Sequence, residues 1–130
     1  MRDPKNFYET VEFICREDKR YSPDSYEFVM QALGVTQKKI NRQGHLSGRE
    51  LLEGIKDYSI EQFGPMAKTV LNHWGVYTTQ DFGNIVFNMV DKGLLSKTES
   101  DSREDFRDVY DFDAIFGSIL RDSIKNMNSL

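Results

Sequence analysis

The strongest constraint in this chain is a series of helix-start signals, each followed by apolar residues three and four apart. Asp3-Pro4 puts a capping carboxylate before a proline at the first helical position, where the missing N–H is not needed. Phe7, Tyr8, Val11, Ile14 and Cys15 then predict an amphipathic helix over about 4–17, with Glu17-Asp18-Lys19-Arg20 as its solvated end. Ser22-Pro23 repeats the signal before Tyr26, Val29, Met30 and Leu33, a stripe that can run on past Gly34 to Ile40. Ser47-Gly48-Arg49-Glu50 has the spacing of a capping box, and Leu51, Leu52, Ile55, Tyr58 and Ser59 carry that helix to about Gln62. Gly64-Pro65 opens a short helix through Met66, Ala67, Val70, Leu71 and Trp74, closed by Gly75. Thr78 to Asp81 reads as a further cap, followed by Phe82, Ile85, Val86, Met89 and Val90, with Gly93 as the stop.

The pattern then changes. Leu94 to Thr98 is short and leads into the polar run Glu99 to Asp105, after which Phe106, Tyr110 and Phe112 stand at even spacings, with Asp108 interrupting the alternation. This predicts a β-hairpin with a long charged tip. Asp113 is placed to cap a last helix carrying Ile115, Phe116, Ile119, Leu120 and Ile124, and the tail from Asn126 to Leu130 is expected to fray. The expected fold is mainly α: about six helices, a small hairpin and a winged-helix-like second half. We expect a single domain over 1–130, with N-terminal helices (1–46), a winged-helix-like part (47–112) and a C-terminal helix and tail (113–130).

Residues 47–112 give helix, helix, tight turn, helix and hairpin, the order of a helix-turn-helix followed by a wing. In particular Val90-Asp91-Lys92-Gly93-Leu94-Leu95, through Ser102-Arg103-Glu104-Asp105 to Val109-Tyr110, resembles winged-helix transcriptional regulators. Gln62-Phe63-Gly64-Pro65-Met66-Ala67-Lys68-Thr69-Val70-Leu71 and Asp81-Phe82-Gly83-Asn84-Ile85-Val86-Phe87-Asn88 are similar to phrases of a small family of uncharacterised bacterial proteins. That second resemblance implies a cytoplasmic bacterial protein and carries over no catalytic residue.

Charge separates the functions that such a fold can serve. A DNA-reading helix at 79–92 would present Gln80, Gly83, Asn84, Asn88 and Lys92 outward, and Asn and Gln can pair with adenine. Phosphate neutralisation, however, supplies much of the affinity for DNA. From Glu99 to Asp113 seven acids (Glu99, Asp101, Glu104, Asp105, Asp108, Asp111, Asp113) stand against Arg103 and Arg107, a net of −5, so DNA binding through the wing is disfavoured. Residues 37–49 hold Lys38, Lys39, Arg42 and Arg49 and no acid. They read as a solvated helix end, with a phosphate-binding patch for a nucleic-acid-associated regulator as the alternative, or a partner for the acidic wing within one molecule or across a dimer.

Catalysis finds no constellation. Cys15 falls on an apolar face and reads as structural, and one cysteine excludes a disulfide framework or a cysteine-based zinc site and fits a reducing compartment. His45 reads as an exposed loop side chain. His73 beside Trp74 suits a helix C-terminus, and as an acid or base it would need a carboxylate beside the ring in a pocket. Two histidines lack a zinc-ligand spacing, and the acids of the wing lack a calcium-loop pattern. We expect no cofactor and no metal. MRDPKNFYE does not read as a signal peptide and no apolar run approaches the ~18–20 residues of a membrane span, so a cytoplasmic protein is expected. Trp74 and Tyr77 flank Gly75 at the turn and Phe87 lies off the main stripe of its helix, as small-core packing or as interface anchors. The leading expectation is a non-catalytic protein-interaction or scaffolding module, with self-association as one form of it. It would use the acidic hairpin (Glu99, Asp101, Glu104, Asp105) and the outer face of 79–92 (Asn84, Asn88, Lys92).

Overall fold

Within residues 4–42, 44–96 and 102–128, the parts of the chain that the computed structural model describes, the start signals at Pro4, Pro23, Ser47, Gly64-Pro65 and Thr78 open helical structure. The helices are α1 (Pro4–Glu17), α2 (Pro23–Lys39), α3 (Gly48–Phe63), α4 (Ala67–His73), α5 (Thr79–Asp91) and α6 (Phe112–Asn128). α4 is only seven residues long and continues a 3-10 turn at Gly64–Met66. The fold is thus built on five full-length helices of 13 to 17 residues rather than about six. None of the described helices is long and apolar enough to cross a membrane.

The caps follow local chemistry. Ser47 with Glu50, and Thr78 with Asp81, each form a reciprocal capping box. Ser22 differs: its hydroxyl makes no capping bond, and only Pro23 marks the start of α2. At α6 the cap is Asp111 rather than Asp113, since the Asp111 carboxylate accepts from the Ala114 N–H at 3.0 Å. α6 also continues to Asn128, into the tail that the sequence pattern marks for fraying.

α5 lies at the centre. Phe82, Gly83, Ile85, Val86, Phe87 and Met89 are all buried, more of the circumference than a surface helix covers. The α1–α2 connection crosses one side of it, and α2 and α3 pack on another. Gly75, at φ +91°, makes the crossing possible: a β-carbon there would collide with the Arg20 carbonyl oxygen, while the Trp74 carbonyl accepts from the Ser22 N–H.

No strand occurs among the described residues, so the expected hairpin does not form there. Ser102 and Asp105 form a third capping box that winds Arg103–Phe106 into a 3-10 turn, and Asp108 adopts φ +48°, which breaks any extended run. Phe106, Tyr110 and Phe112 instead enter the interior separately. Phe106 is wedged over Gly83, where a β-carbon would come within 2.8 Å of its own, and meets Phe87 edge-on with ring centres 6.1 Å apart. The Tyr110 hydroxyl donates to the Leu52 carbonyl at 2.8 Å, and Phe112 contacts Phe82 and Phe116. The described part of what resembled a wing, 102–111, is a strap folded back over α3 and α5. Its expected tip residues Glu99 and Asp101 lie outside the described residues, as does Thr98 of the first arm.

Candidate functional site

The face of α5 expected to look outward is occupied. Gly83 is buried beneath Phe106, and Asn84 and Asn88 are half-buried in a polar network; Gln80 and Lys92 are exposed. Asn84 Nδ2 donates to Tyr21 Oη at 2.9 Å, and its Oδ1 accepts from Arg103 Nη1 at 3.1 Å. Asn88 Nδ2 donates to both Asp18 Oδ2 and Tyr26 Oη at 3.0 Å. Lys92 pairs with Glu17 at 3.0 Å and sits 4.8 Å from the centre of the Phe13 ring. The partners come largely from residues 13–26, which no pattern local to 79–92 announces.

This network holds elements together. Burial, reinforced by the hydrogen bond to Asp81, pushes the Tyr21 phenol well up from its usual value, and burial pushes Tyr26 up to about 12. The Arg20 side chain holds the Asp18 carboxyl well below the usual carboxylate range. Both phenols therefore stay protonated and Asp18 stays charged at neutral pH, which leaves none of the three poised for proton exchange there. Cys15 is also raised, mainly by burial, and its thiol donates to the Tyr21 carbonyl at 3.6 Å.

The basic segment is partly neutralised by α3. Lys39 pairs with Glu61 at 2.7 Å and Arg42 with Glu50 at 2.5 Å, whereas Lys38 and Arg49 are exposed without an ion pair among the described residues. Lys39 and Arg49 line a groove of about 410 Å³ between α2 and α3 that also presents Glu50, Glu53 and Asp57, so a phosphate there would meet three carboxylates. The described ion-pair partners of the segment are thus on α3, not on the acidic strap. In the strap, Glu104 pairs with Arg107, and Asp105 accepts from the Ser102 N–H. His73 is exposed at the end of α4, and Trp74 packs on Phe28 and Phe63. Among the described residues no group of three or more His, Cys, Asp and Glu is placed to hold a metal.

The site that stands out lies on the other side of α5. A cleft of about 270 Å³ is bounded by Leu33 of α2, Leu46 of the loop, Leu51 of α3, Val86 and Val90 of α5, and Phe106 of the strap. Phe87 and Leu95 complete its carbon surface, and Gln37, His45 and Ser96 supply its polar edge. Gln37 Nε2 donates to the Gly44 carbonyl at 2.8 Å, which fixes the loop as one lip. Leu46, Leu51, Val86, Phe87 and Phe106 belong to the buried core, so these walls are packed from behind. The sequence holds two hints of this site: Leu46 is an apolar residue inside the basic segment, and Phe87 lies off the main stripe of its helix. The cleft can take an apolar group out of water and offer it one or two hydrogen bonds at the rim.

Comparison of the chain with protein-family models, with curated proteins and with solved structures gives no match. What the cleft can do thus follows from its own chemistry.

Proposed function

We propose that this chain is a non-catalytic protein-interaction module, and that its docking point is the apolar cleft between α2, α3 and α5. One observation carries the reading: a carbon-walled cleft of about 270 Å³ opens beside exposed Gly44, His45 and Ser96. Such a cleft suits the buried anchor of a protein partner, surrounded by weaker rim contacts. The docking point is placed here rather than on Asn84 and Asn88, because those side chains already have internal partners. An anchor of aromatic size buries ~150–250 Å², on the order of 4–6 kcal/mol before the cost of association. One anchor alone gives a weak complex, and the partner's flanking residues supply the rest. Membership of the small bacterial family is proposed alongside it, on the phrases at 62–71 and 81–88 alone.

The test is selection of peptide binders from a random displayed library, followed by mapping with amide chemical shifts. Binders should perturb Leu33, Val86 and Leu95, and Val90→Arg should abolish their binding while leaving the thermal melt cooperative. Selected peptides that map elsewhere, or that ignore Val90→Arg, overturn the proposal.

A further inference from the structure

We draw no further inference here: the strongest candidate, the exposed apolar stripe of Leu120, Ile124 and Met127 along the second half of α6, carries nothing, because nothing in the structure shows what covers it.

Discussion

The hydroxyl of Tyr21 donates to the carboxylate of Asp81 at 2.5 Å, which joins the α1–α2 connection to the first turn of α5 across 60 residues of sequence. Asp81 also accepts from the Tyr77 and Thr78 N–H groups, so one carboxylate caps a helix and anchors a distant segment. Tyr21→Phe keeps the ring, which is 3% exposed, and removes only the hydroxyl. Asp81 then loses its shortest bond and Asn84 loses an acceptor. Stability should fall by about 1–3 kcal/mol in urea unfolding, with an unchanged denaturant slope. A loss below about 0.5 kcal/mol would show that the network is dispensable.

Two glycines should respond to alanine with opposite signs. Gly75→Ala forces a side chain onto a residue at φ +91° and into the Arg20 carbonyl, so it should destabilise by about 2 kcal/mol or more. Gly34 lies inside α2 with open space where a β-carbon would stand, and Gly34→Ala should stabilise by roughly 0.5–1 kcal/mol. Thermal unfolding of both variants against the wild type checks the pair. A stabilised Gly75→Ala would refute the close crossing of α1–α2 over the α4–α5 turn.

The features legible in the sequence are those whose partners lie within one helical turn. Ser47 with Glu50 and Thr78 with Asp81 each satisfy a helix end through residues three positions apart, and the structure forms both boxes. The same arithmetic finds Ser102 with Asp105, but the even spacing of Phe106, Tyr110 and Phe112 suggests a strand instead. Only tertiary contacts distinguish a strand from separate apolar insertions at that spacing. Asn84 and Asn88 mislead for a related reason: the groups that cover them, Asp18, Tyr21 and Tyr26, lie 62 to 70 residues away. Beyond Leu46 and Phe87 the cleft is not legible, because its walls come from α2, α3, α5, the loop at Leu46 and the strap, which are spread along the sequence from Leu33 to Phe106.

The strap makes a prediction that a wing would not. Phe106 is 3% exposed between α3 and α5, beside Gly83 and Phe87. Phe106→Ala should therefore cost about 3–5 kcal/mol, the range for emptying an aromatic site in a packed core. Had the segment projected as a hairpin arm, the same change would fall within about 0.5 kcal/mol of neutral. Denaturant unfolding separates these outcomes. Proteolysis within 102–111 should accelerate in the variant, because the strap loses its wedge.

Acid should weaken the molecule in part through Asp18. Its carboxylate accepts two bonds from the Arg20 side chain, at 2.9 and 2.8 Å, and one from Asn88 at 3.0 Å. These hold its pKa below the ordinary carboxylate value, with the Arg20 side chain the largest cause. As pH falls, the unfolded chain takes up this proton first, near pH ~3.9, and the folded chain only at lower pH. The stabilisation is thus complete above about pH 5 and declines as acid carries the folded group through its own titration. Asp18→Asn removes the charge at every pH. The stability gap between wild type and Asp18→Asn, measured in urea, should stay constant from about pH 8 to about pH 5 and narrow steadily below about pH 4. A gap that persists unchanged to about pH 2.5 would mean that the Arg20 pair, exposed at its guanidinium, gives Asp18 no preference for the folded state.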